Sequence, residues 1–316
     1  MFDKNIVIQL DEKIDTTIDL DVARNEIFKL FNESEICNKE IENKSKEKVD
    51  KLMKDNCHKI FDMKLEDDEI IEIIQKLPNN KASGYNRVSN EMIKYELSPK
   101  LLNVLKLIFE TIINYDIMPK NFNIGVVKLL VKDKNKDHDD INNLRTLTIS
   151  DKMAIIYEKI ILKRINKKYQ GFKNQFGFRT NSSCGHAVFA LKESVLFNRT
   201  QNKRTIGATI DASKAFDKVN RVNLWYKLMK IIEAYLLRSF INYYLVSKIV
   251  IFINNKYTNI FIITRGVKQG GPLSPLLFAI YINQLSALLD TDPGGIIIGE
   301  IKINNILYAD DILLQY

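Results

Sequence analysis

The stretch NNILYADDILLQY, residues 304–316, places two adjacent carboxylates, Asp310 and Asp311, between two runs of branched aliphatic residues. The two runs predict β-strands, and the aspartates between them predict a tight hairpin turn, where Asp is well tolerated. Neighbouring carboxylates repel each other, and burying one of them without a partner is costly. A bound cation and a solvent-facing turn would each relieve the repulsion, so the hairpin alone leaves both alternatives open.

A third carboxylate, Asp211, follows another β-prone run in TIGATIDASKAFDKVNR, residues 205–221. Carboxylates at a strand tip and in a neighbouring hairpin can together hold two divalent ions, about 3.5–4 Å apart. Asp211 and Asp310 are 310 − 211 = 99 residues apart, so only a fold could bring them together. Magnesium suits such a site, because it prefers oxygen ligands and leaves room for substrate phosphates.

The cysteines and histidines offer no competing zinc site. They are scattered and form no metal-spaced pair: Cys37, Cys57, Cys184, His58, His138 and His186. Since no disulfide pattern is evident, a reducing, intracellular compartment is expected.

Composition favours a globular chain with an anionic partner. Of the 316 residues, 46% are hydrophobic, which allows a sizeable core and two or three subdomains. The 47 Lys and Arg against 39 Asp and Glu give a net charge of +8. Nucleic acid is the commonest partner of such a chain, although coding bias toward lysine explains the charge equally well. Every long apolar stretch is interrupted by polar residues, so no membrane contact is expected.

The spacing of apolar residues predicts an α+β chain. Helices are predicted over 70–77, 100–115, 151–166, 186–197 and, after Asp211, through about 244, with another beginning at Pro272. Strands are predicted at 125–131, 205–210, twice within 249–263 around an Asn-Asn turn, and from 295 onward. Residues 32–56 are highly charged, which is typical of a solvated helix or a linker.

Three stretches of the sequence stand out: IDASKAFDKVNR (210–221), RGVKQGGPLSPLLF (265–278) and YADD (308–311). In their order and spacing they resemble the palm motifs of reverse transcriptases. The chain most resembles the reverse transcriptases of non-LTR (LINE-like) retrotransposons. KASGYNRVSNEMIK (81–94), residues 118–150, the helix at 152–165 and NQFGFRTNSSCGHAV (174–188) resemble the motifs ahead of them. The resemblance covers roughly residues 65–316.

The resemblance implies a right-hand polymerase with fingers and palm. It divides the chain into a charged N-terminal segment or linker (1–64), fingers with upstream helices (65–204) and an incomplete palm (205–316). In that family a thumb follows the Asp-Asp hairpin, and since the chain ends at Tyr316, the thumb is expected to be absent.

The same resemblance implies roles for individual residues. Asp211, Asp310 and Asp311 match the family's catalytic, metal-binding aspartates, which hold two Mg²⁺ ions, with Mn²⁺ as the alternative. The nucleotide site is implied by five more residues. Phe216 matches the bulky residue that blocks a ribose 2′-hydroxyl, with a core aromatic as the alternative; Ala212 offers a backbone amide, Gln269 lines the pocket, and Arg145 holds the triphosphate together with Lys132 or Lys134.

Other positions are less specific or depart from the family pattern. Arg179 matches a residue that contacts template or packs the fingers, and Tyr308 one that packs under the primer terminus or fills the palm. The departures are Thr146 in place of a proline, Tyr85-Asn86 in place of a proline-aspartate pair, and Gly271 in place of an aspartate or other residue.

The function implied is RNA-directed DNA polymerisation, with an RNA template, a DNA primer and deoxynucleoside triphosphates as partners. The resemblance names no protein partner and leaves nucleus and cytoplasm both open as locations. Two alternatives remain: a catalytically inactive, truncated remnant that only binds nucleic acid, and a maturase of the group II intron type.

Overall fold

The computed structural model describes residues 18–33, 39–169, 171–179 and 181–316. Over these ranges helices and strands mix irregularly, which confirms the predicted α+β class. The helices are α1 (Leu20–Asn32), α2 (Lys39–Asn56), α3 (Asp67–Gln75), α4 (Asn90–Tyr95), α5 (Pro99–Tyr115), α6 (Lys152–Asn166), α7 (Cys184–Thr200), α8 (Arg221–Leu228), α9 (Ala234–Leu245) and α10 (Ser274–Thr291). The strands are β1 (Ile124–Val131), β2 (Leu144–Ser150), β3 (Gly207–Asp211), β4 (Lys248–Ile253), β5 (Lys256–Tyr257), β6 (Phe261–Ile262), β7 (Ile296–Ile298), β8 (Ile301–Ile303), β9 (Asn305–Tyr308) and β10 (Asp311–Gln315).

The larger sheet has the strand order β2-β1-β4-β5, and β6 pairs with β4. Strands β1 and β2 are antiparallel, whereas β1 and β4 are parallel, so the sheet joins distant parts of the sequence. Helix α1 covers one face because Ala23, Ile27 and Phe31, each four residues apart, form a single apolar stripe. This stripe packs with Val127 and Ile251 in one buried cluster.

Strands β7 and β8 pair with each other in a separate two-stranded sheet. The three-stranded sheet, called the smaller sheet below, has the order β3-β10-β9 and is antiparallel throughout. Its register sets Asp211 directly opposite Asp311. Two residues, Ala309 and Asp310, connect β9 to β10, and Ala309 has a φ of 59°, in the left-handed region. All five residues of β3 are exposed. The predicted carboxylates therefore lie together at one end of a sheet that is partly open to solvent.

The helices other than α1 and α7 form the main apolar core, in which Arg238 is fully buried. Its guanidinium donates to four backbone carbonyls, those of Asn56, Lys59, Ile113 and Asn114. The Asp116 carboxylate lies 3.5 Å from its Nε. A buried charge is tolerated only when it is paired and hydrogen-bonded, and here it joins the ends of α2 and α5 to α9.

Most predicted elements lie where the apolar spacing placed them, but the predicted start of the last long helix was wrong. Helix α10 begins at Ser274 rather than at Pro272, and Pro275 occupies its first turn. The backbone is still turning before it, since Gly270 has a φ of 104°. No helix in the described ranges is both long and apolar enough to cross a membrane.

Sheet pairing also crosses the predicted domain division. Strand β4, within 205–316, pairs with β1, within 65–204, and α1, within 1–64, packs on both. The division itself remains a prediction. Cys37 lies outside the described residues, whereas Cys57 and Cys184 are free and exposed.

Candidate active site at the carboxylate hairpin

The β9–β10 hairpin brings the predicted aspartates to one place. Asp211 ends β3 and Asp311 begins β10 directly opposite it, although they are 311 − 211 = 100 residues apart. Side chains in such opposed positions of antiparallel strands have Cβ atoms about 4.5–5.5 Å apart. Asp310 lies in the turn itself, so all three carboxylates belong to one corner of the smaller sheet.

A cavity of about 580 Å³ opens beside this corner. It is lined by seven of the eight residues implied by the resemblance: Asp211, Asp310, Ala212, Phe216, Gln269, Arg145 and Lys132. Asp311 is exposed and lies outside the lining, as does Lys134. The fold thus gathers around one space residues that are far apart in the sequence.

The donor set of the cavity fits a hard divalent cation. Its acidic lining residues are Asp211, Asp310, Asp217 and Glu26, and no histidine or cysteine lines it. Nowhere in the described part of the chain do three His, Cys, Asp or Glu side chains converge closely enough to hold a metal by themselves. Magnesium is ordinarily held by one or two carboxylates with substrate phosphates and water, so a site built on Asp211 and Asp310 suits it.

Part of the cavity lining is basic. Lys132, Arg145 and Lys214 line it together. The pKa of Lys132 is lowered, first by burial and then by the positive charges of Lys214 and Arg145. The Lys132 ammonium donates to the carbonyl of Asn142 at 2.8 Å. Three cations gathered in one wall repel each other unless an anion joins them, which makes this wall suited to a polyphosphate.

Phe216 both lines the cavity and packs on the core. Its ring stacks on Phe278 with centroids 4.7 Å apart, and Phe178 meets it edge-on at 5.9 Å. Rings held between two others have little freedom to move aside. The Phe216 ring is therefore part of the core and of the cavity lining at once. Its position does not separate the two predicted alternatives, and the predicted contact with a ribose remains a prediction.

Asp217 is a cavity residue that the sequence analysis missed. Its carboxylate is 3% exposed and accepts hydrogen bonds from Gln269 Nε2 at 2.9 Å and from the Thr146 hydroxyl at 3.4 Å. Burial raises the pKa of Asp217 to about 7, against the opposing effect of these two hydrogen bonds. The signal in the sequence was Thr146 itself, a hydroxyl at a position where the family has proline.

The two glycines after Gln269 allow the close approach that the sequence suggested. A Cβ on Gly270 would lie 2.8 Å from the Thr148 carbonyl oxygen, and the Thr148 N–H donates to the Gln269 carbonyl at 2.8 Å. The loop is thereby tied directly to strand β2. Its backbone, rather than its side chains, fixes where Gln269 enters the cavity.

The three departures from the family pattern each lie next to a buried carboxylate. The Thr146 hydroxyl donates to Asp217. The Asn86 N–H donates to Asp151 at 2.9 Å, and a Cβ on Gly271 would lie 2.9 Å from Glu158 Oε2. Burial raises the pKa of Asp151 and of Glu158, so both need such donors or such room.

Arg179 and Tyr308 lie at the margin of the site. Arg179 is exposed, and its guanidinium donates to the carbonyls of Phe172 and Lys173 at 3.3 and 3.4 Å. Tyr308 is also exposed and does not belong to the lining of the 580 Å³ cavity. Their predicted contacts with template and primer remain predictions.

Comparisons with known proteins agree with this arrangement. The family model for reverse transcriptase (RNA-dependent DNA polymerase) matches residues 131–316, more than half of the chain. A probable RNA-directed DNA polymerase from transposon BS of Drosophila melanogaster is 26% identical over 79% of this chain and 27% of its own length. The RNA-directed DNA polymerase from mobile element jockey of the same fly is 24% identical over 77% of this chain and 26% of its own length.

A third relative is more similar over a shorter span. The retrovirus-related Pol polyprotein from type-1 retrotransposable element R2 of Popillia japonica is 30% identical over 57% of this chain and 26% of its own length. The chain thus spans about a quarter of the length of these curated relatives. As the motifs and their arrangement around one cavity indicated, the chain belongs to the reverse transcriptase family, among relatives from non-LTR, LINE-like retrotransposons.

Proposed function

We propose that this chain is an RNA-directed DNA polymerase domain that adds deoxynucleotides to a DNA primer on an RNA template. One observation carries the proposal: Asp211 and Asp310 share a single cavity with Lys132, Arg145 and Phe216. Acidic and basic residues thus line one cavity of about 580 Å³, a volume within the usual range of ligand pockets. In this assignment residues 65–204 form the fingers with upstream helices and residues 205–316 most of the palm of a right-hand polymerase, with β4 of the palm pairing with β1 of the fingers.

The reaction is a phosphoryl transfer. The primer 3′-oxygen forms a bond to the α-phosphorus of the nucleotide, the bond from that phosphorus to the bridging oxygen breaks, pyrophosphate leaves, and the hydroxyl proton passes to solvent water. Mg²⁺ ions held by Asp211 and Asp310, with Asp311 beside them, would activate the attacking oxygen and neutralise the leaving one. Positioning and charge neutralisation supply most of the catalysis in such transfers.

The side chains of this chain bind and orient the nucleotide. Arg145 and Lys132 hold the triphosphate, the guanidinium by paired hydrogen bonds and the ammonium as a point charge. The Ala212 backbone amide and the Gln269 side chain contact the nucleotide from the other walls. Phe216, fixed between Phe178 and Phe278, excludes a 2′-hydroxyl by occupying its space.

The test is primer extension on poly(rA)/oligo(dT) with magnesium and dTTP. The wild-type chain should extend the primer, and Asp310→Asn should reduce extension by at least about 10³-fold, because a neutral amide holds a divalent cation poorly. Asp50→Asn, an exposed acid on α2 remote from the cavity lining, is the matched control and should keep full activity.

Two outcomes would contradict the proposal. Undiminished extension by Asp310→Asn would refute the metal assignment. No extension by the wild-type chain, together with salt-sensitive binding of the RNA–DNA hybrid, would favour the nucleic-acid-binding remnant instead.

A further inference from the structure

Residues 174–177, beside the β9–β10 hairpin, pair with β9 at the edge of the smaller sheet. The Leu307 N–H donates to the Asn174 carbonyl at 2.9 Å, and the Phe176 N–H donates to the Leu307 carbonyl at 2.8 Å. Gln175 and Leu307 form a parallel bridge. Residues 174–177 therefore run along β9 and reach the turn at the point where β9 ends.

The Gln175 side chain bonds the turn itself. It is 3% exposed, and its Oε1 accepts from the Ala309 N–H at 3.1 Å and from the Gly177 N–H at 2.9 Å. Ala309 has a φ of 59° and directly precedes Asp310. The left-handed conformation costs an alanine about 1–2 kcal/mol, so the turn keeps this shape only if its surroundings hold it.

Gly177 completes the contact from the same segment. A Cβ at this position would lie 2.3 Å from the Ala309 nitrogen and 3.1 Å from its Cα. No side chain fits there without moving the turn, so the glycine allows one backbone to lie directly against the other. Gln175 and Gly177 together fix both the position and the conformation of Ala309.

We propose that Gln175 is a positioning residue for catalysis, which sets the location of Asp310 by holding the Ala309 amide, with Gly177 giving it the necessary approach. Gln175 lines none of the 580 Å³ cavity and acts only through the turn. The inference rests on the proposed function for its kinetic consequences, whereas the contact with Ala309 can be measured without any activity.

A second glutamine of the same sheet provides a matched control. Gln315, in β10, is 0% exposed, and its Oε1 accepts from the Ser194 hydroxyl at 2.8 Å. The Nε2 atoms of Gln175 and Gln315 both have no hydrogen-bond partner within the described ranges. Replacing either by methionine thus removes the bonds of one buried oxygen and little else. Gln315 stands four residues beyond Asp311 at the far end of the strand.

The experiment compares three variants with the wild-type chain: Gln175→Met, Gln175→Glu and Gln315→Met. Hydrogen exchange of the Ala309 amide, followed by NMR after ¹⁵N-alanine labelling, reports the contact. Primer extension gives kcat, KM for the nucleotide and the magnesium concentration for half-maximal rate. Thermal unfolding reports overall stability.

Gln175→Met should speed exchange of the Ala309 amide about tenfold or more, because its hydrogen-bond acceptor is gone. It should lower kcat about 10- to 100-fold and raise the magnesium requirement, while KM for the nucleotide stays within about twofold, since a shift of about 1 Å in a reacting group has effects of this size. Gln175→Glu keeps an oxygen acceptor and should restore amide protection. Gln315→Met should lower the melting temperature as much as Gln175→Met without changing amide protection or kcat.

The proposal is overturned if Gln175→Met leaves the Ala309 amide protected, or if its kcat falls no further than that of Gln315→Met. Failure of the proposed function is a different result. In that case the wild-type chain extends no primer, although Ala309 protection is lost in Gln175→Met and kept in Gln175→Glu.

Discussion

The two largest of the three sheets in the described ranges differ in how they treat water. The larger sheet has a buried centre, with six of the eight residues of β1 buried and α1 packed on one face. The smaller sheet leaves all of β3 exposed and gathers three carboxylates at one end. One sheet minimises its free energy by excluding water, whereas the other keeps like charges together at a cost in stability. Such a cluster of carboxylates is expected where a ligand supplies the compensating positive charge.

The largest expected effect is a loss of primer extension at the smaller sheet, with its fold intact. Asp211→Asn should reduce primer extension by at least about 10³-fold, equivalent to about 4 kcal/mol of transition-state stabilisation. In the absence of magnesium the same variant should be more stable than wild type by about 0.2–1 kcal/mol, because opposed like charges destabilise a strand pair. Extension assays and denaturant unfolding measure the two effects.

With magnesium added, the wild-type chain should become more stable than Asp211→Asn, since a ligand that binds only the folded state stabilises it. Asp50→Asn serves as the control and should change neither quantity. A loss of stability in Asp211→Asn without magnesium would show that the Asp211 carboxylate stabilises the fold instead of destabilising it.

The larger sheet should give the opposite result. Ile251 is 0% exposed and lies beside Val127 in the parallel pair of β1 and β4. Ile251→Ala should lower the free energy of unfolding by about 2–5 kcal/mol, through lost burial and the cavity left behind. The change is measured by urea unfolding under conditions where the variant remains folded.

Ile262, 54% exposed in β6 of the same sheet, is the matched control, and Ile262→Ala should stay within about 0.5 kcal/mol of wild type. Equal effects of the two substitutions would mean that burial does not distinguish positions in this sheet.

The smallest expected effect is on the pH dependence of stability, through Asp217 in the cavity lining. Burial raises the pKa of Asp217 from 3.8 to about 7. Between these values the folded chain binds a proton that the unfolded chain has lost, so this carboxyl's contribution to stability falls as pH rises through the window and is constant above it. Asp217→Asn should therefore gain about 2 kcal/mol relative to wild type between pH 5 and pH 8.

Urea unfolding of Asp217→Asn and wild type across that pH range gives the difference directly. Lys132 and Lys214 are the cations whose charges lower the pKa of Asp217, against the effect of burial. Asp50→Asn, exposed on α2, is measured alongside as the control. A difference for Asp217→Asn that stays constant across the pH range would contradict the raised pKa of Asp217.

The sequence carried those features that depend on local pattern. Apolar spacing predicted α3, α5 and β1, and the hairpin around Asp310 followed from aspartates between two β-prone runs. The motifs also identified the residues that line the cavity, because the chemistry of the site constrains residue type at fixed positions. A helix boundary was missed at Pro272, where two prolines three residues apart compete for the first turn.

What the sequence did not show depends on tertiary contacts alone. Asp217 looks like one more charged residue beside Phe216, and only burial against Gln269 and Thr146 makes it unusual. Gln175 is as inconspicuous, since its bond to Ala309 joins positions 134 residues apart. Helix α1 was hidden by its charged residues, which leave one narrow apolar stripe. No local pattern specifies which distant group a side chain will meet.

The parallel pairing of β1 and β4 has a consequence for how the chain is made. Ile124 pairs with Lys248, so 248 − 124 = 124 residues must be synthesised after β1 before its second partner exists. At about 5–20 residues per second this delay is roughly 6–25 s. During that time β2 can pair with one edge of β1, while the backbone groups of the other edge stay open to pairing with neighbouring chains. The nascent polypeptide therefore carries an unpaired strand edge until β4 emerges.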